Sequence, residues 1–247
     1  MFTKTRFFVF ALLLAIVSCD KDEDKPAEKD VSLKIRLVHV VDGEPLEFDD
    51  PRYTNAFGNT YSVMRLQYFV SDFKLALEDG RGVVQIRDAH YVDGREEDTH
   101  TFNPKMRIPQ GDYQSVSFVF GLNAETNVAG TFPNPPENNM EWPAPLGGGY
   151  HYMKLEGRIT EGESTTNYQA HTGPTNNNQN FIEITLAESA FTAGEEGAEI
   201  ILTMDINRWW ENPNTLDLHE MTMMMDDQDK QVLLYENGAD VFGFGSK

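Results

Sequence analysis

The sequence predicts an all-β protein, a single antiparallel β-sandwich domain with long loops and one or two short helical turns. Three observations predict it. Apolar and polar residues alternate with a period of two in many short segments, as in Val31 to Val41, where Val31, Leu33, Ile35 and Leu37 share one side and Lys34 and Arg36 the other. These segments are separated by turn chemistry such as Asp42-Gly43-Glu44-Pro45 and Glu78-Asp79-Gly80-Arg81-Gly82. No internal repeat and no second boundary divides residues 31–247, a length that suits one two-sheet domain.

Taken in order, Val31 to Val41 is the opening strand, with His39 continuing its apolar side. Asp49 to Thr60 is polar and punctuated by Gly and Pro, hence a loop. In Tyr61 to Leu77, Met64, Leu66, Tyr68 and Val70 form an apolar side that Ser71-Asp72 interrupts before Phe73, Leu75 and Leu77 resume it. A helix over Val63 to Tyr68 is the rival reading; the aromatic and β-branched content favours strands. Val83 to Tyr91 and Tyr113 to Gly121 are further strands, and Gly94 to Thr101 is an acidic loop. Asn123 to Asn139 is a long Asn- and Pro-rich loop, of a length often tied to function, with a plain crossover between sheets as the alternative. Gly149 to Arg158, Asn167 to His171, Asn180 to Leu186 and Glu199 to Ile206 complete the strand set. Asn207 to Pro213 reads as a helical turn or loop whose Trp209 and Trp210 anchor the core. Leu216 to Met225 reads as a short helix, and the stretch from Val232 to Phe242 as a strand or helical turn.

The first 18 residues read as a lipoprotein signal peptide. Lys4 and Arg6 form its basic start, Phe7 to Val17 is an apolar run too short for a comfortable span, and Ile16-Val17-Ser18-Cys19 reads as a lipobox. Cleavage before Cys19 and lipidation of its sulfur would anchor the protein to a membrane without a transmembrane helix, as a cell-envelope, outer-membrane lipoprotein facing either the periplasm or the surface. Cys19 is the sole cysteine, so once it is lipidated no thiol remains for a disulfide, a thiolate ligand or a nucleophile. Residues 19–30 form an acidic flexible tether. The formal charge of −20, once Lys4 and Arg6 are removed, becomes about −22, a surface that repels nucleic acid and tolerates cations.

Chemistry concentrates between Met140 and His171. An exposed-looking Trp142 sits in a Pro-rich loop, Gly147-Gly148-Gly149 follows, His151 lies on the next strand beside Met153 and Leu155, and His171 ends the strand after it. Two imidazoles at adjoining strand ends with a nearby indole point to a soft-metal site, because imidazole suits copper and copper binds such donors more tightly than other first-row divalent ions. His39 is the third ligand put forward, with His90 and His219 as alternatives, while His100 reads as loop surface. The Met221 to Met225 run reads as core filling, and Asp226-Asp227-Gln228-Asp229 as solvated loop. No Gly-x-Ser-x-Gly, His-Glu-x-x-His, phosphate loop or dinucleotide fingerprint occurs, so a non-enzymatic role is expected. The rival function is a surface glycan- or peptide-binding module with no metal site.

Several phrases in sequence, YSVMRLQYFVSDFKL (Tyr61 to Leu75), GDYQSVSFVFG (Gly111 to Gly121), Met140 to Gly157, YQAHTG (Tyr168 to Gly173) and DINRW (Asp205 to Trp209), resemble the MbnP-like copper-binding family, related to the methanotroph proteins MopE and CorA. The acidic stretch after Cys19 resembles the surface-export signal of Bacteroidetes lipoproteins. The family resemblance implies a β-rich fold and a mononuclear copper site. It implies His171 as a ligand through the Tyr-x-x-His-x-Gly phrase, and Trp142 as the tryptophan oxidised to kynurenine. His151 follows the Gly-Tyr pair on the next strand. A dihaem partner of the cytochrome c peroxidase type is implied for the oxidation. The chain departs from the family pattern in having Pro143-Ala144-Pro145 where a second Trp often follows the first, and one histidine near 171 rather than a close pair.

Overall fold

Leu33–Val41 (β1) is a strand whose odd-numbered residues, His39 among them, are buried. Asp42 and Gly43, both with positive φ, turn the chain back so that Val41 pairs with Glu44. The computed structural model describes residues 29–78, 80 and 82–247; the signal peptide, Cys19 and most of the tether lie outside the described residues. At the described start, the Lys29 carbonyl accepts from the Gln110 N–H at 3.0 Å and Asp30 pairs with Pro109.

Thr60–Leu77 (β2) is one continuous strand of 18 residues and the spine of a nine-stranded sheet. Its alternation changes phase twice. Tyr61 and Val63 face the core, then Leu66, Tyr68 and Val70, then Phe73, Leu75 and Leu77. Each change is a β-bulge, where one strand spends an extra residue against its partner. Against Met153–Glu161 the register passes from Arg65 to Val63, skipping Met64, and against Gly111–Phe120 it shifts between Ser71 and Lys74, where Asp72 has a φ of 50°. The Ser71-Asp72 interruption is therefore a bulge within a strand rather than a break.

Beside β2 lie Val83–Ile86 (β3), His90–Asp93 (β4), Gly111–Phe120 (β5) and Met153–Glu161 (β6), all antiparallel to it. Ser164–Thr172 (β7) continues the sheet beyond β6, and Ile182–Thr185 (β8) continues it beyond β5. The second, five-stranded sheet places Ala198–Asp205 (β9) between β1 and Phe242–Ser246 (β10). The β1–β9 pairing is parallel, the one departure among these main strands from the expected antiparallel sandwich.

The main core fills the space between the sheets. Trp209 and Trp210 follow β9 in a short 3-10 turn capped by Asp205, and both are fully buried. Trp210 sits edge-on to Tyr61 and Tyr168, and Trp209 packs on Phe120. Burying each such ring stabilises the fold by roughly 1.5–3 kcal/mol relative to exposure. Met221 and Met224 fill core space as expected, whereas Met223 is exposed.

A second, smaller cluster lies on the other side of β2, formed by Phe69, Tyr91, Leu122, Met140, Tyr150 and Tyr152. The long Asn/Pro loop covers it: Phe132 stacks on Phe69 at 5.3 Å, and Asn127 Oδ1 accepts from the Tyr150 N–H at 2.7 Å. The C-terminal stretch differs from expectation. Gln228–Asn237 (α1) is a ten-residue α-helix whose N-cap, Asp227, accepts from the N–H groups of Asp229 and Lys230, so the acidic cluster is partly a cap rather than plain loop. Leu216 to Met225 contains only the three-residue 3-10 turn Leu218–Glu220. Among the described residues no helix is long and apolar enough to cross a membrane.

Candidate metal centre

The Gly162 turn closes the β6–β7 hairpin so that His171 faces Lys154, with Glu156 one pleat away. His151 precedes β6 rather than lying on it: Tyr150 makes an isolated bridge with Glu141, and the strand begins at Met153. Trp142 is delivered by the loop before it. The backbone at Gly147, Gly148 and Gly149 has φ of 126°, 70° and 80°, a left-handed run that glycine alone adopts without strain. It returns the chain so that Trp142 N–H donates to Gly149 O at 2.8 Å and the indole N–H to Leu146 O at 3.2 Å. Trp142 is only 3 % exposed, so the expectation of an exposed indole is corrected: its ring lies flush on Gly173, where a Cβ would stand 2.4 Å from the indole.

These three side chains meet. The Trp142 and His151 rings are 4.7 Å apart between centroids at 71°, and the His151 and His171 rings 5.1 Å apart at 82°. His151 Nδ1 lies 2.9 Å from the Met140 carbonyl oxygen, an acceptor only, so Nδ1–H donates and Nε2 keeps the lone pair. Burial first, then the nearby Lys154 ammonium, pushes the His151 imidazolium down to about 3, which leaves the ring neutral at ordinary pH. His171 Nε2 lies 2.8 Å from Glu156 Oε1, and the same oxygen accepts from Arg65 at 2.7 Å. Burial pushes the Glu156 carboxyl up, but His171 and Arg65 outweigh it and hold it below the usual carboxylate range. An ionised Glu156 takes the Nε2–H of His171 and leaves Nδ1 as the nitrogen with a free lone pair in the neutral ring.

Each imidazole thus has one nitrogen committed to an oxygen and one left over, the arrangement that orients histidine ligands in metal sites. With metal–nitrogen bonds of about 2 Å, each ring centroid sits roughly 3 Å from an ion, so centroids 5.1 Å apart are within reach of one ion. Among the described residues no three His, Cys, Asp or Glu side chains are grouped so as to hold a metal; the two imidazoles are the donors of the pair, and the indole, whose N–H is given to Leu146 O, packs beside them without a lone pair to offer.

The other candidates lie elsewhere. His39 is not brought to His151 and His171; its Nε2 is 2.9 Å from the Tyr68 hydroxyl and its ring 5.0 Å from that of His100. His90 stacks on Phe102 and bonds Thr99 O at 2.7 Å, a structural role, and His219 Nε2 lies in hydrogen-bond contact with Glu161 Oε1 at 3.1 Å.

Three supporting residues escaped the sequence reading. Gln231 of α1, fully buried, donates to His171 O at 2.8 Å and Met224 O at 3.0 Å while its Oε1 accepts from Gly173 N–H at 3.1 Å. Asn180 donates to Gly173 O at 2.7 Å and is itself braced by Gln228 at 2.8 Å. The backbone of residues 171–173 is thereby gripped from the helix side. Glu156 had a signal in the hairpin register, whereas Gln231 and Asn180 are joined to the site only by the tertiary fold.

A family model, MbnP, matches residues 30–226. Among solved structures, MbnP from Methylosinus trichosporium superposes with a TM-score of 0.60 at 14% identity, covering 88% of this chain and 99% of that one, which shows a shared fold. No curated protein matches the chain.

Proposed function

The chain belongs to the MbnP family, and on that premise we propose that it is a non-enzymatic copper-binding lipoprotein, serving copper acquisition or handling in the cell envelope. The observation that carries this reading is the meeting of His151 and His171 beneath Trp142, each imidazole with a fixed hydrogen-bond partner and a spare nitrogen. Neutral imidazoles suit copper, and burial keeps His151 from competing for a proton. Copper bound there would be held by these two rings, with the indole of Trp142 packed against the first. Glu156 and Arg65 set the orientation of His171, Met140 that of His151, and the Trp142 ring on Gly173 excludes water from one side.

Lipidation at Cys19 would tether the domain to the membrane through the acidic linker. Oxidation of Trp142 to kynurenine by a dihaem partner of the cytochrome c peroxidase type belongs to the same proposal. Copper titration of the purified chain tests the first part: the parent binds, and His151→Ala or His171→Ala each abolishes the equivalent held at this pair. A parent that binds no copper would sink the reading. Intact-mass analysis of native protein, focused on the peptide containing Trp142, tests the second.

A further inference from the structure

On β1, His39 borders a surface pocket of about 590 Å³ whose wall also includes His100, Glu97, Arg36 and Arg95, the two arginines being paired with Glu199 at 3.2 Å and Asp49 at 2.7 Å. The His39 and His100 rings are 5.0 Å apart at 74°, close to the spacing of the pair under Trp142. Each ring again has an oxygen at one nitrogen, here Nε2 in both. For His39 it is the Tyr68 hydroxyl at 2.9 Å, and for His100 the Asp93 carbonyl at 3.0 Å. His100 therefore donates through Nε2–H and, when neutral, offers Nδ1. An ion at Nδ1 of His39 selects the tautomer in which Nε2–H donates to the Tyr68 oxygen.

Two further features suit a cation. Glu97 and His100 bound a single 3-10 turn, and both line the pocket. The formal charge of −20 over the chain raises the local concentration of cations. The pocket is open, so water can complete a coordination sphere that the two rings begin.

We propose that His39 and His100, with Glu97 at the rim, form a second, solvent-open site for a divalent first-row metal ion, separate from the pair at His151 and His171. The site goes beyond the proposed copper function and is tested apart from it.

The experiment uses the full chain carrying His151→Ala and His171→Ala, titrated with Cu²⁺ alone and followed by electron paramagnetic resonance and calorimetry. Expected is one Cu²⁺ per chain with nitrogen hyperfine coupling, weakened at least tenfold by adding His100→Ala. His100 is only half-buried, so that variant keeps the fold, which near-ultraviolet circular dichroism verifies. His39→Gln, which retains a polar group for Tyr68, gives the second arm and the same weakening. Absence of stoichiometric Cu²⁺ in the double variant, or binding indifferent to both added substitutions, overturns the proposal. If the parent and the double variant bind equally and His100→Ala removes that binding, the open site stands and the reading of the closed pair falls.

Discussion

His151 and His171 stand 5.1 Å apart on one side of the molecule, and His39 and His100 stand 5.0 Å apart on another. The first pair is roofed by Trp142, braced by a carboxylate–guanidinium pair and gripped by a helix; the second borders an open pocket that Glu97, Arg36 and Arg95 also line. Spacing is therefore not what distinguishes them. What differs is the cover and the number of hydrogen bonds that fix each ring. A covered pair favours an ion content with few ligands, while an open one admits water and so suits ions that want more. The same donor type, set in two environments, would make two different sites if both pairs take a metal.

The largest expected effect is one the pairs share. The imidazolium of His39 is pushed down to about 3 from 6.5, by burial, then by His100, with Asp93 opposing; His151 is likewise pushed down to about 3. Both folded values lie below the unfolded one, so acid adds protons to the unfolded chain that the folded chain refuses. Stability is intact above pH 6.5 and falls as pH drops toward 3, by about 1.4 kcal/mol per unit for each ring. Between pH 7.5 and pH 4.5 the two rings together cost about 5 kcal/mol, read as the midpoint of urea unfolding across pH. His39→Gln and His151→Gln should each flatten the acid limb by about half. A limb unchanged in either variant would show that the corresponding ring is not held neutral.

Next in size is Gln231→Ala, which separates the pairs. It strips partners from His171 O, Met224 O and Gly173 N–H, all on the closed side. Leaving buried groups unpaired costs about 3 kcal/mol. Copper affinity at the closed pair should fall ten- to hundred-fold, as when second-shell partners are lost, and the open pair should be untouched. Equal losses at both pairs would mean that the helix acts through global stability and does not position His171.

How much of this was legible in the sequence follows from range. The alternation of β1 placed His39 on the buried side because a period of two is local. The hairpin between β6 and β7 places Glu156 diagonal to His171 by counting from the turn, so the brace on that ring was within reach of the sequence too. The two bulges of β2 left only a trace, the Ser71-Asp72 interruption, because a bulge is an extra residue against a partner that the sequence does not identify. The stretch from Val232 reads as a strand or a helical turn, and the structure makes it the second half of α1, which starts at Gln228; Gln, Lys, Leu and Glu are good helix formers and Asp227 is a favoured cap, so the signal for the earlier start was present. Trp142 reads as exposed because Pro-rich loops usually lie on the surface, and nothing local announces that Gly173, just past the end of β7, leaves room for an indole. His39 groups with His151 and His171 in the sequence because a residue type can be counted there without being located; in the fold His39 lies on β1 of the second sheet, whereas His171 lies on β7 and His151 just before β6 of the first.

Glu156→Gln sharpens the comparison at the closed pair. A neutral amide can still accept from His171 Nε2–H, but it no longer holds the charge that Arg65 and His171 share. Copper affinity there should fall by about tenfold, with little change in the melting temperature, because only the ring's orientation and basicity are altered. A drop in melting temperature without a change in affinity would assign Glu156 to the strand pairing instead.

The smallest effect is expected at Glu97. Its side chain is exposed and makes no salt bridge among those described, so Glu97→Ala should leave stability within about 0.5 kcal/mol of the parent. Copper at His151 and His171 should not respond. Cu²⁺ at His39 and His100 should weaken by a few-fold, because a rim carboxylate that swings onto an ion already held by two imidazoles adds charge but little rigidity, and salt should erode the difference. A loss as large as that from His100→Ala would make the carboxylate a full ligand, and the open pair would then be a three-donor site built on a single 3-10 turn and one strand.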